Sequence, residues 1–112
     1  MRAGSIAVQE GDTLQVVRHE VAEFAAAMEV KLRKNDHKKG WRELPIEALR
    51  RLMMLEVQEF EVAREFFGKA ETANELVDIA NFAMMLRDRI LMEPTPRCIE
   101  ERRFEDSKDW AK

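Results

Sequence analysis

Residues 46–67 read IEALRRLMMLEVQEFEVAREFF, and this stretch has the periodicity of a single amphipathic helix. At about 100° per residue its outward stripe is polar and its opposite face is apolar. The apolar face consists of Leu49, Leu52, Met53, Phe60, Ala63 and Phe67. Glu56 and Glu59 fall in the middle of that face, spaced i, i+3, so their carboxylates are neighbours one helical turn apart.

A second acid pair with the same spacing follows in Glu75 and Asp78. It shares a helix face with Ile79, Phe82, Met85 and Leu86. An ionised carboxylate on a buried face is costly unless a positive charge compensates it. Because neither helix face carries a His or Arg among its acids, the pattern predicts that a cation binds them.

Composition favours one soluble, helical domain. The chain has 112 residues, of which 46% are hydrophobic and 37% charged, with four Gly, three Pro and no Tyr. We therefore expect an all-α fold in a single domain spanning residues 1–112. A net charge of -3 argues against binding to a nucleic-acid polymer. The single Cys98 excludes an intrachain disulfide and a cysteine-based zinc site.

Neither a signal peptide nor a membrane span is expected. The N-terminus lacks a long apolar stretch, and no run approaches the roughly 20 apolar residues of a transmembrane helix. These features predict a cytoplasmic protein without a membrane partner.

The expected elements follow from capping residues and breakers. We predict an N-terminal arm at residues 1–11 and a charged C-terminal tail at residues 94–112. Between them we predict three helices, at residues 13–35, 46–67 and 72–91. Thr72 is a plausible N-cap with Glu75 three residues later, so a capping box is the structural alternative for Glu75. The third helix is apolar on most sides, which predicts burial against a second subunit. A homodimer or homotetramer with a four-helix core is therefore expected.

The loop at residues 35–45 gathers cations around one aromatic side chain. It contains His37, Lys38, Lys39, Trp41 and Arg42. Cations suit phosphates and an indole suits a flat base, so the loop is typical of a nucleotide site. The alternative is a solvated loop whose Trp41 plugs the end of the bundle. Lys31 and Asn35 precede it on the edge of the first helix, where Lys31 alone would also fit a surface lysine.

The acids suit a hard cation with oxygen ligands, such as Mg²⁺ or Mn²⁺. A di-iron site would require Glu-x-x-His on two helices, and neither His19 nor His37 lies three residues after a glutamate. A catalytic zinc site for hydrolysis is also not supported, because the chain lacks the set of His or Cys ligands that zinc usually requires. Phosphoanhydride hydrolysis is the simplest chemistry that uses an acid-bound Mg²⁺ beside a basic loop.

The pattern ExxE, a gap, then ExxD resembles the signature of the MazG-like nucleotide pyrophosphohydrolases, in the all-α NTP pyrophosphatase superfamily. Here it reads Glu56, Glu59, Glu75 and Asp78, with Asn81 three residues further on. The segment KLRKNDHKKGW, residues 31–41, is similar to a phage and bacterial branch of that family, and the likeness spans roughly residues 20–91. Two positions depart from the family pattern: Leu55 stands where a Glu is frequent, and Lys39 replaces a Gly of the loop.

The resemblance implies a Mg²⁺-dependent enzyme that converts (d)NTPs to monophosphates and pyrophosphate, with a house-cleaning role towards unwanted nucleotides. The metal ligands would be Glu56, Glu59, Glu75 and Asp78, and Glu56 or Glu59 would also orient the attacking water. Substrate contacts would come from Lys31, Asn35, Lys38, Trp41 and Asn81, with Arg42 and Arg87 as weaker candidates. Two alternatives stay open. One is another branch of the superfamily, hydrolysing dUTP or phosphoribosyl-ATP, and the other is a non-catalytic helical dimer that binds a nucleotide or a partner protein.

Overall fold

The structure is a computed structural model that describes residues 7–38 and 40–94. Most of the described chain is helical, as the composition predicts. In chain order the elements are strand β1 (Ala7–Glu10), strand β2 (Thr13–Val16), helix α1 (His19–Lys34), a short 3₁₀ turn (Trp41–Glu43), helix α2 (Ile46–Phe66) and helix α3 (Lys69–Met92). The predicted C-terminal tail, apart from Pro94, lies outside the described residues.

Helices α2 and α3 form the hairpin that carries the acid pairs. Pro45 begins α2 in an extended conformation, and its carbonyl accepts hydrogen bonds from the amides of Ala48 and Leu49. Only Phe67 and Gly68 connect α2 to α3, so the chain reverses and the two helices pack against each other. Helix α1 also packs against α3. The helix pair expected from the sequence is therefore present, with α2 ending within one residue of the predicted position.

The core of the described chain is small. Its buried apolar side chains are Ala22, Leu49, Ala63 and Val77, and the one buried polar side chain among the described residues is Asn81. Many large apolar side chains on the three helices are exposed instead, including Phe24, Leu55, Phe66 and Leu91, as is Phe67 in the connection between α2 and α3. The hydrophobic periodicity of the sequence thus predicts more burial than the single chain provides.

A β-hairpin replaces the predicted start of the first helix. Residues 7–10 pair antiparallel with residues 13–16, with Ala7 opposite Val16 and Glu10 opposite Thr13. Gly11 adopts φ 59°, which suits the first central position of a two-residue hairpin turn. The prediction of a helix from residue 13 is therefore wrong, because this turn folds residues 13–16 back as a strand. Of the predicted extended arm, residues 7–10 form the paired strand, and residues 1–6 lie outside the described residues. Helix α1 begins only at His19, and the all-α expectation holds for the helices but not for this small sheet.

Helix α3 begins three residues earlier than predicted, with Gly68 as its N-cap. Thr72 lies inside the first turn, where its hydroxyl donates to the Gly68 carbonyl at 3.0 Å. The capping-box interpretation of Thr72 and Glu75 is therefore wrong. Glu75 belongs to the body of the helix, and its position needs another explanation.

No helix among the described residues combines the length and apolar character needed to cross a bilayer.

Replacing Gly11 by Ala is expected to open the hairpin. A side chain at φ 59° is strained by about 1–2 kcal/mol, and an isolated two-stranded hairpin has little stability to spare. Amide hydrogen exchange in residues 7–16 should accelerate about tenfold or more, while exchange in α2 and α3 stays unchanged. Gly40→Ala is the control, because Gly40 does not have a positive φ and a Cβ there meets nothing within 4 Å. Unchanged exchange in the Gly11 variant would contradict the expectation.

Candidate functional site

Three of the four predicted metal ligands converge. Glu56 from α2 and Glu75 and Asp78 from α3 each place one carboxylate oxygen within 4.8 Å of the others. The i, i+3 spacing puts Glu75 and Asp78 on one face of α3, and the packing of α2 against that face brings Glu56 to them. All three residues are partly buried. The two acid pairs therefore meet across the helix hairpin.

Glu59 lies at the edge of this group. It is exposed, and its carboxylate does not belong to the set of oxygens within 4.8 Å. Its side chain is nevertheless within hydrogen-bonding reach of Glu56. Glu59 and Glu75 also line a cavity of about 450 Å³ between the end of α2 and the start of α3. This position leaves Glu59 accessible to solvent and to a ligand.

The acid cluster, defined as Glu56, Glu75 and Asp78, contains unsatisfied acceptors. The Oε2 atoms of Glu56 and Glu75 are buried and have no hydrogen-bond partner among the described residues. A buried acceptor without a donor costs about 1–3 kcal/mol, and more when it is charged. A hard divalent cation bound by these three carboxylates would compensate their charge, so the donor set fits Mg²⁺ or Mn²⁺.

Crowding of the carboxylates shifts their protonation. Burial raises the pKa of Glu56 to about 8, helped by hydrogen bonds to Glu59 and Glu75 and by the negative charges of Glu59 and Asp78. Burial is also the main cause that raises the pKa of Glu75. Without a cation the cluster therefore keeps a proton at neutral pH.

Asp78 has a cationic partner within the chain. Lys31 Nζ donates to both of its carboxylate oxygens, at 2.8 Å to Oδ1 and 2.9 Å to Oδ2. The side chains of Lys31 and Asp78 are 24% and 25% exposed. The structure thus places the predicted substrate ligand Lys31 directly against the acids, in a contact that the sequence pattern did not indicate.

Asn81 lies one turn beyond Asp78 and is 5% exposed. Its amide donates to the backbone carbonyl of Met28 at 3.3 Å, and its Oδ1 atom is buried without a partner among the described residues. This bond ties α3 to α1 three residues before Lys31. In this state Asn81 holds the helix that carries Lys31, whereas its predicted contact with substrate stays a prediction.

The loop before α2 is anchored to α3 through Asp88. The Trp41 indole N–H donates to Asp88 Oδ2 at 2.9 Å, and Arg42 Nε donates to the same atom at 3.0 Å. Arg89 adds a bond from its Nε to the Leu44 carbonyl at 3.3 Å. Hydrogen bonds from Arg42 and Trp41 lower the pKa of Asp88. Sequence reasoning missed Asp88, because no local pattern indicates a partner 47 residues from Trp41.

Trp41 forms one wall of a largely apolar cavity of about 370 Å³. Asn35, Asp36 and Lys38 supply its polar groups. The other lining residues are Leu32, Gly40, Leu44, Leu49, Leu52, Phe82 and Met85. Three predicted substrate ligands, Asn35, Lys38 and Trp41, therefore share this cavity, which we call the Trp41 cavity. Asn35 also donates its side-chain amide to the Lys31 carbonyl at 3.2 Å and so ends α1.

The Trp41 cavity and the acid cluster adjoin along the helix hairpin. Leu52 lies one helical turn before Glu56 on α2, and Phe82 lies one turn after Asp78 on α3. One turn corresponds to a rise of about 5–6 Å. The cavity and the carboxylates are thus neighbours on both helices.

Among the described residues, the other cationic side chains that the sequence suggested for substrate binding do not line the Trp41 cavity. Arg42 is engaged with Asp88 rather than free to face the cavity, and His37 and Arg87 are exposed. Lys39, one of the two positions that depart from the family pattern, lies outside the described residues.

Replacing Asp88 by Ala is expected to release Trp41. The indole N–H loses its acceptor and Arg42 loses its counter-charge, so the 3₁₀ turn should detach from α3. Hydrogen exchange of the Trp41 indole should accelerate by about tenfold, measured by NMR in a Trp110→Phe background. Asp88→Asn keeps an acceptor without the charge and should give an intermediate rate. Equal rates in the parent protein and the Ala variant would contradict this role.

Comparisons of the chain with models of protein families, with curated proteins and with solved structures gave no match.

Proposed function

We propose that this protein is a Mg²⁺-dependent nucleoside triphosphate pyrophosphohydrolase of the MazG-like type. The observation that carries the proposal is the convergence of Glu56, Glu75 and Asp78, each with one oxygen within 4.8 Å of the others. In addition, the Oε2 atoms of Glu56 and Glu75 are buried without a donor among the described residues. The same acids carry the family resemblance of the sequence.

The cluster would hold Mg²⁺, with Mn²⁺ as a substitute, through Glu56, Glu75 and Asp78. A bound Mg²⁺ would polarise phosphate oxygens and lower the pKa of a coordinated water. Glu59 stands at the solvent side of the cluster, within hydrogen-bonding reach of Glu56. This position suits Glu59 for orienting the attacking water and accepting its proton, while Glu56 serves mainly as a metal ligand.

The Trp41 cavity supports a nucleotide as the substrate. Its apolar walls and the indole suit a base, and Asn35 and Lys38 offer donors at its polar side. Because the cavity lies one helical turn from the acids, a base bound there would bring its phosphates towards the cluster. Lys31 would meet those phosphates from α1.

A homo-oligomer forms part of the proposal. Exposed apolar side chains on all three helices, such as Val21, Leu55, Phe66 and Leu91, support burial against a second copy of the chain. A homodimer or homotetramer would complete the four-helix core that a single chain does not provide. Analytical ultracentrifugation tests this part independently of activity.

A substrate panel tests the proposed activity. Purified protein is incubated with Mg²⁺ and canonical and modified dNTPs, dUTP and phosphoribosyl-ATP, and the products are separated by chromatography. We expect a nucleoside monophosphate and pyrophosphate from at least one of them, with the ratios identifying the branch of the superfamily. Glu59→Gln should lose most of the activity, whereas Glu61→Gln on the same helix should keep it. The absence of product from every substrate, or full activity in Glu59→Gln, would refute the proposal.

A non-catalytic helical dimer is the second candidate, and one observation favours it. The Lys31–Asp78 ion pair already neutralises one acid of the cluster without a metal. If such a dimer binds only a partner protein, Mg²⁺ with a non-hydrolysable dNTP analogue would give no calorimetric heat and no change in melting temperature. A clear heat of binding would exclude that form, and the substrate panel would then separate the enzyme from a non-catalytic dimer that binds a nucleotide.

A further inference from the structure

Asp78 belongs to two arrangements at once. Both of its oxygens accept hydrogen bonds from Lys31 Nζ, at 2.8 and 2.9 Å. One oxygen also lies within 4.8 Å of oxygens of Glu56 and Glu75. The ammonium group therefore contacts the same carboxylate that would complete a divalent cation site.

Lys31 compensates only part of the cluster. Its hydrogen bonds go to Asp78, while the buried Oε2 atoms of Glu56 and Glu75 are without partners among the described residues. A divalent cation bound by Glu56, Glu75 and Asp78 would lie close to the ammonium group of Lys31, because both positive charges would contact Asp78. The cation and the ammonium group would then repel each other strongly, because the site is partly buried and solvent screens their charges less.

We propose that Lys31 is a tethered competitor of the metal, which couples cation binding to phosphate binding. This inference rests on the proposed metal site. In the free protein the ammonium occupies Asp78 and weakens the binding of a cation on its own. When a polyphosphate arrives, its oxygens accept the ammonium, and Asp78 becomes a full ligand of the cation.

The location of Lys31 allows this exchange without movement of the helix. Asn81 fixes the backbone of α1 at Met28, and the flexible lysine side chain lies in the last turn of the helix. The next residue, Leu32, already lines the Trp41 cavity, together with Asn35 and Lys38. An ammonium that leaves Asp78 therefore has the phosphates of a nucleotide in that cavity within reach.

Coupling of this kind has a definite thermodynamic consequence. If a phosphate ligand removes Lys31 from Asp78 and so tightens cation binding, the cation must tighten phosphate binding by the same factor. Without the lysine the cation should bind well by itself, and the part of the mutual enhancement that depends on Lys31 should disappear.

Calorimetric titration with Mn²⁺ alone, without nucleotide, tests the proposal. Lys31→Met removes the competing charge but keeps a long side chain, so we expect about tenfold tighter binding of Mn²⁺, within the usual range of coupling. Lys31→Arg keeps a competing cation and should bind Mn²⁺ no more tightly than the parent protein. Lys34→Met removes an exposed charge from the same helix and controls for general electrostatics.

The outcomes separate the two proposals. If the parent protein binds Mn²⁺ and Lys31→Met binds it equally or more weakly, the competition is refuted and the metal site stands. If neither protein binds Mn²⁺, the metal site is refuted, and with it the competition, since Lys31 is then a permanent structural partner of Asp78.

A second measurement uses the unaltered side chain, in case Lys31→Met does not fold. The ammonium resonance of Lys31 is followed by ¹⁵N NMR and assigned by its loss in Lys31→Arg. Adding Mg²⁺ with a non-hydrolysable dNTP analogue should shift or abolish it, because the hydrogen bonds to Asp78 are lost. An unchanged resonance at saturating Mg²⁺ and analogue would refute the exchange.

Discussion

Glu56→Gln is expected to abolish the proposed nucleotide hydrolysis while making the metal-free protein more stable at pH 8. The amide cannot replace an anionic ligand in the acid cluster, and losing the support of a bound metal costs several kcal/mol of transition-state stabilisation. We therefore expect kcat to fall by about 10²- to 10³-fold or more. We also expect Mg²⁺ to raise the melting temperature of the parent protein but not that of the variant.

The gain in stability has a separate cause. Burial and neighbouring carboxylates raise the pKa of Glu56 to about 8, so the folded protein resists ionisation of this group. Gln has no such cost, and its amide can donate to the oxygens of Glu59 and Glu75. Glu56 is only partly buried, so solvent screening reduces the effect. We expect an increase in melting temperature of about 4–8 °C in the presence of a chelator, equivalent to ~1 kcal/mol.

Glu61→Gln is the matched control, because it removes the same charge from an exposed position of α2. Its melting temperature and its response to Mg²⁺ should equal those of the parent protein. A Glu56→Gln variant that retains the response to Mg²⁺ would exclude Glu56 as a ligand. A lower melting temperature of Glu56→Gln at pH 8 without metal would show that ionisation of the Glu56 carboxylate does not destabilise the folded protein.

The parts of the site that the sequence predicts are those set by helical periodicity. The i, i+3 spacing places Glu75 and Asp78 on one face, and the same spacing brings Glu56 and Glu59 to the facing side of α2. Periodicity does not distinguish the members of a pair that lie one turn apart. The packing of the hairpin decides that Glu56 joins the cluster while Glu59 remains exposed at its edge.

Contacts between distant segments escape prediction for a different reason. Lys31 with Asp78 and Trp41 with Asp88 are each 47 residues apart, and both pairings depend on how helices and loop dock on α3.

The β-hairpin was missed for another reason, although the residues that form it are adjacent in the sequence. Gly11 and Asp12 separate two short runs, which is a usual hairpin pattern, but Leu14, Val17 and Val21 also fit the spacing of a helix. The same residues therefore fit both a strand pattern and a helix pattern, and the turn at Gly11 favours the strand.

The metal-free protein is expected to become less stable as the pH is raised from about 5 to 8. The ordinary pKa of Glu56 is 4.5, and in the folded protein it is about 8. Below pH 4.5 the folded and unfolded chains both carry this proton, so it does not affect stability. Between these values the unfolded chain releases the proton and the folded chain retains it, which favours unfolding progressively. Glu75 acts in the same direction, because its pKa is also raised.

Other carboxylates do not cancel this trend. Arg50 lowers the pKa of Glu47, and Arg42 lowers that of Asp88, so both acids stabilise the fold above their ordinary values of 4.5 and 3.8. Their contribution is lost only as the pH falls further, outside the window from 5 to 8. With the partial exposure of Glu56 taken into account, we expect the melting temperature to fall by about 5–10 °C across this window.

Thermal unfolding with a chelator between pH 5 and 8.5 measures this dependence, and a parallel series with Mg²⁺ identifies its source. Metal binding requires the ionised carboxylates, so the stabilisation by Mg²⁺ should increase with pH and offset the decline. Glu56→Gln should show a shallower decline in the chelator, because Glu75 still contributes, and no response to Mg²⁺. A melting temperature that rises from pH 5 to 8 without metal would mean that the acids of the cluster are already compensated by the protein, with Lys31 as the nearest source of that charge. The slope of this curve therefore decides whether the two buried glutamate oxygens represent a cost that a cation relieves.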